Sequence, residues 1–158
     1  MLPTLMLVVL CLSVLLWARR GLWRLALLSL PGTLAHELAH LLVGTLMYAK
    51  PNSVSLFPRR SGKSYVLGSV SFRNVSLFNG AFVAFAPLLL APVGYLCVLQ
   101  GSGALTRGDY LAWSLWSVLA GNLFFSALPS WQDFKTGVPS LLMYSAIGIG
   151  VAALTGKI

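Results

Sequence analysis

Five apolar stretches, at about residues 2–18, 22–48, 79–100, 110–128 and 138–155, take up most of the 158-residue chain. Each is close to the roughly 20 residues that a helix needs to cross hydrocarbon. Where no water is present the backbone must satisfy its own donors and acceptors, which leaves helices as the fold open to such stretches. The composition agrees: 58% of residues are hydrophobic and 9% charged, against about 25% charged in soluble domains. The sequence therefore predicts an all-α polytopic membrane protein with four to five transmembrane helices, forming a single integral-membrane domain over residues 1–158. The basic residues Arg19 and Arg20 follow the first stretch rather than precede it, which predicts an anchor and not a signal peptide. Its 17 residues also leave a tilted interfacial helix open.

A formal charge of +8 raises nucleic-acid binding as a function class. The basic residues, however, sit at the ends of the apolar stretches (Arg19, Arg20, Arg24) and in one loop (Lys50, Arg59, Arg60, Lys63, Arg73), without the interleaved aromatics of a single-strand groove. The pattern predicts no nucleic-acid partner and favours the lipid bilayer, through its anionic headgroups. Cys11 and Cys97 lie inside apolar stretches without metal-ligand spacing and read as packing residues.

Between the second and third stretches the pattern changes. "VSLF" and "SYVLGSVSF" are rich in β-branched and aromatic residues, with "PRRSGK" between them as turn material. This predicts a small β-hairpin at about residues 52–73, inserted after the second apolar helix. In its second strand Val66, Gly68, Val70 and Phe72 fall on one face and Tyr65, Leu67, Ser69 and Ser71 on the other. Such a hairpin is either a plain connection or a working surface. Pro31 is expected to kink the second helix, and Pro87 and Pro92 to interrupt the third.

Both histidines of the chain, and one of its three acids, lie in the stretch His36-Glu37-Leu38-Ala39-His40. On a helix His36 and His40 project from one face a turn apart, so both imidazoles can reach one metal ion. Glu37 sits beside the first, where it can take a proton from a metal-bound water without being a ligand. An ionisable residue inside a membrane helix costs roughly 2.5–3.5 kcal/mol on insertion scales, so three together call for a compensating cation. A helix-packing polar cluster is the plain alternative. A catalytic zinc site takes three protein ligands, and the remaining acids are Asp109 and Asp133. Asp109, in "TRGDYLAW", reads as a helix N-terminal residue. Asp133, just past Pro129 in "NLFFSALPSWQDFKTG", is the better third ligand, with pairing to Lys135 as its plain reading.

His36-Glu37-Leu38-Ala39-His40 on a hydrophobic helix, then a β-rich segment, then Asn122, Pro129 and Asp133 in order, resembles the site-2 protease family of intramembrane zinc metalloproteases. The resemblance implies metal binding by His36, His40 and Asp133 and a general base at Glu37. It also implies a hydrolase for peptide bonds of membrane-embedded or membrane-proximal protein substrates, with Zn2+ as cofactor, as a multi-pass protein of the prokaryotic inner membrane. Asn79 and Asn122 are candidate substrate-binding residues, or else interhelical hydrogen-bond partners. An exposed edge of the hairpin could hold an extended substrate by β-augmentation. Two other functions use the same residues: a non-catalytic metal-binding protein or transporter, and an inactive membrane scaffold.

Overall fold

The structure is a computed structural model and describes residues 1–56, 58–61 and 64–156. It is mostly helical. Helix α1 covers Leu2–Ala18, α2 Leu22–Leu28 and α3 Leu30–Leu46. Two small antiparallel pairs follow: β1 (Pro51–Ser55) with β4 (Ser69–Phe72), and between them β2 (Arg59–Ser61) with β3 (Ser64–Val66). Then come the short α4 (Gly80–Ala84), a 3-10 turn at Ala86–Leu89, α5 (Leu90–Thr106), α6 (Tyr110–Ser126) and α7 (Trp131–Leu154).

The four to five transmembrane helices expected from the apolar stretches are corrected here. Among the described residues, two helices are long and apolar enough to cross a membrane, Ala86–Thr106 and Trp131–Leu154, or three if the bent pair α2–α3 forms one span. Helix breaks, which a hydropathy window does not register, account for the difference. The stretch 22–48 divides at Ser29, where α2 and α3 meet at 74°. Pro31 falls at the opening of α3, where its missing N–H leaves no helical acceptor short. The stretch 79–100 gives its beginning to α4 and to the 3-10 turn that contains Pro87. At 17 residues each, α1 and α6 rise about 25 Å, short of a core about 30 Å thick.

The apolar core lies where α1, α5 and α6 meet, with Val8, Leu90, Cys97, Val98, Ala120, Leu123 and Ala127 buried together. Cys97 is thus a packing residue, and Cys11 lies half-buried beside α6 with its Sγ 3.7 Å from the Val118 carbonyl. Thr4 of α1 ties this core at one end, accepting from Ser102 Oγ at 3.1 Å and Trp113 Nε1 at 3.2 Å. Asp109 caps α6 as expected, its Oδ1 accepting from the Ala112 N–H at 2.9 Å. Helix α7 packs chiefly against α4, and only 11% of its apolar window is buried by protein.

The hairpin forms, but its arms are broken rather than continuous. The ladder β1–β4 runs from Pro51↔Phe72 to Ser55↔Ser69. Pairing then resumes as Arg59↔Val66 to Ser61↔Ser64, so the arginines expected in the turn belong to a strand. The remaining turn residues Gly62 and Lys63 lie outside the described residues. At its base the hairpin is tied to α3 by Tyr48 and Lys50, both at positive φ. Backbone bonds from Arg73 N–H to the Lys50 carbonyl (3.0 Å) and from Asn74 N–H to the Ala49 carbonyl (2.9 Å) close it.

Candidate metal centre

Gly32, His36, His40 and Gly44 recur at intervals of four, which places them along one face of α3. They meet α6, α4 and β4 in turn. Gly32 has no Cβ to hold α6 away: one built there would stand 2.5 Å from the Asn122 carbonyl oxygen and would also strike Ser126 Oγ. That close approach lets the next residue on the face reach α6, and His36 Nδ1 donates to the Ser126 carbonyl at 2.6 Å. A turn later His40 Nδ1 donates to the Val83 carbonyl of α4 at 2.8 Å. The Phe72 ring of β4 packs on Gly44, in space that a Cβ would fill.

Because both Nδ1 atoms donate to backbone carbonyls, the Nε2 atom of each neutral ring carries a lone pair. The two Nε2 atoms face each other at 3.2 Å. Asp133 completes the arrangement, with Oδ1 3.4 Å from His40 Nε2 and Oδ2 3.8 Å from His36 Nε2. Among the described residues this is the one cluster of His, Cys, Asp or Glu able to share an ion, and its ligand atoms all lie within 4.8 Å of one another. Three acceptors converging without a donor among them repel. A cation at their centre removes the repulsion. Tetrahedral coordination at about 2.0–2.1 Å from each ligand sets neighbouring ligand atoms about 3.3 Å apart, a spacing that the two Nε2 atoms and the His40 Nε2–Oδ1 pair match. The side chains of His36 and Asp133 remain 15% and 16% exposed, so the centre is not closed off by protein.

Asp133 is held by the start of its own helix. Ser130 caps α7, its Oγ accepting from the Asp133 N–H at 3.2 Å while Asp133 Oδ2 accepts from the Ser130 N–H at 2.6 Å. This reciprocal pair is a capping box. The spacing Ser130-x-x-Asp133 ahead of an apolar run is its sequence signal, and it identifies Ser130 as a residue that orients the aspartate. Lys135, a possible ion-pair partner for Asp133, instead lies over the Trp131 ring at 5.6 Å.

Glu37 is buried, 7% exposed, one residue along from His36 on the side that faces the hairpin. The hairpin backbone lies on it. A Cβ at Gly68 would stand 2.7 Å from Glu37 Cγ and 2.8 Å from Oε1. Gly68 and Phe72, which alternation places on one strand face, are thus both turned toward α3.

The two asparagines sit in other surroundings. Asn79 Nδ2 donates to the Met47 carbonyl (3.2 Å) and the Asn74 carbonyl (2.9 Å), and its Oδ1 accepts from the Ser76 N–H (2.8 Å). Its amide ties the end of α3 to the exit of the hairpin. Asn122, 2% exposed, donates to the Val118 carbonyl at 3.2 Å and lies 4.0 Å from Cys11 Sγ, facing α1. Comparison of the chain with protein-family models, with curated proteins and with solved structures gives no match, so the site's chemistry rests on its own residues.

Proposed function

We propose that the chain is an intramembrane zinc metalloprotease, a hydrolase of peptide bonds in membrane-embedded or membrane-proximal proteins. The observation that carries the reading is the convergence of His36 Nε2, His40 Nε2 and an Asp133 carboxylate oxygen with a buried carboxylate, Glu37, one residue from the first of them. His36, His40 and Asp133 would hold the zinc ion, and the Ser126 and Val83 carbonyls keep both rings in the tautomer that binds it. When bound, zinc lowers the pKa of a coordinated water toward about 7 and polarises the scissile carbonyl.

Glu37 accepts the proton of the attacking water and passes it to the departing amine, so one carboxylate serves as base and then as acid. Its burial suits this work, since a carboxylate shielded from bulk water exchanges its proton with the reacting groups rather than with solvent. A storage or transport site has no need of a carboxylate beside the first ligand. Asn79 and Asn122, whose amides are engaged in packing, take no part in the proposal.

Glu37→Gln separates hydrolysis from simple metal binding. The variant, purified in detergent, is expected to contain as much zinc as the parent protein by elemental analysis. It should lose cleavage of transmembrane-helix peptides, followed by mass spectrometry, by several orders of magnitude. Cleavage at the parent rate would remove Glu37 as the base.

A further inference from the structure

Gly68 belongs to no strand, yet its backbone lies so close to Glu37 that a Cβ there would force the Glu37 side chain or the hairpin to shift. A Cβ there would meet Glu37 Cγ at 2.7 Å, Oε1 at 2.8 Å and the carboxyl carbon at 3.0 Å. All three distances fall inside van der Waals contact, and β4 begins at the next residue. On its other side Glu37 is fixed by α3, whose face is pinned through Gly32 to α6. Phe72 holds the far end of β4 against Gly44.

Resting on the reading of Glu37 as general base, we propose that Gly68 is a positioning residue for it: by lacking a side chain it lets the hairpin backbone press the carboxylate into one orientation beside the metal ligands. The hairpin is then part of the catalytic framework as well as a connection between helices. Substitution at Gly68 does not touch the metal ligands; it displaces the base or lifts the hairpin from it. Because a misplacement of about 1 Å in a reacting group can cost about a hundredfold in rate, Gly68→Ala is expected to lower kcat by about that factor. KM and zinc content should stay close to those of the parent.

A loss of folding would also lower the rate, so the test includes a cycle with Glu37→Ala, which removes the Cγ, Oε1 and carboxyl carbon that the added Cβ would meet. Cleavage of a transmembrane-helix peptide in detergent is compared between the parent and Gly68→Ala, and thermal unfolding of the zinc-loaded protein is followed for the parent, Gly68→Ala, Glu37→Ala and the double variant. Gly68→Ala should lower kcat and melting temperature markedly with Glu37 in place, and should lower melting temperature little in the Glu37→Ala background, since interacting sites give non-additive effects. An unchanged kcat in Gly68→Ala, or equal unfolding losses in the two backgrounds, would overturn the proposal. Absence of cleavage by the parent would count against the protease reading instead, and the unfolding cycle would still decide whether Gly68 and Glu37 are coupled.

Discussion

Asp133 has two tasks at one position, and its neighbours allow them to be separated. As a member of the capping box it stabilises the first turn of α7 through Ser130; as an acceptor 3.4 Å from His40 Nε2 it faces the candidate metal centre. Ser130→Ala removes the hydroxyl that accepts from the Asp133 N–H but keeps the Ser130 N–H that holds Oδ2. The expected outcome is a loss of about 1 kcal/mol in stability, as for other N-cap truncations, with zinc still bound. Asp133→Ala removes the cap partner and the proposed ligand together, so it should lose stability and bind zinc far more weakly. Chemical denaturation and chelator competition, run on both variants, distinguish the two tasks. Equal zinc affinity in the two would show that the carboxylate is not a ligand.

At the scale of elements, the centre depends on how closely α3 and α6 approach. Gly32 is the point of contact, and a Cβ there meets the Asn122 carbonyl oxygen, a backbone atom that cannot swing aside. Gly32→Ala is expected to push the helices apart and draw the Ser126 carbonyl away from His36 Nδ1. Loss of such an outer partner of a metal-bound histidine costs about 10–100-fold in affinity, measurable by competition with a chromophoric chelator. Gly148→Ala, in open space on α7, is the control and should leave affinity unchanged. The sequence made the histidine pair legible through its spacing, and Asp133 through the scarcity of other acids. It could not reveal the Ser126 and Val83 carbonyls, because a carbonyl belongs to every residue type and becomes a partner only when helices pack. The hairpin was legible in composition and alternation. Its break at Leu67–Gly68 was not, since the contact that favours glycine there comes from Glu37, about thirty positions away along the chain. Pro31 and Pro87 did signal breaks in two of the apolar stretches, but mean hydropathy hardly registers them, so a window alone overstates the number of spans.

For the molecule as a whole, the centre joins α3 and α7, which otherwise share little surface. His36 and His40 come from the bent pair, Asp133 from the start of α7, and the carbonyls that fix the rings from α4 and α6. Helix α7 has slight protein cover of its own, so a cation held between α3 and α7 is expected to act as a clasp between them. A ligand that binds the folded form alone stabilises it by an amount set by its concentration relative to Kd, about 2.7 kcal/mol at a hundredfold excess. Titrating zinc into metal-free protein in detergent should therefore raise the melting temperature steadily with concentration. His40→Ala and Asp133→Ala should each abolish that rise, because each removes one end of the clasp. Glu37→Gln should retain it in full, since in the proposed mechanism Glu37 serves the water and not the ion. A rise that persisted in Asp133→Ala would place the cation on α3 alone, and the link between the two helices would then have to come from packing.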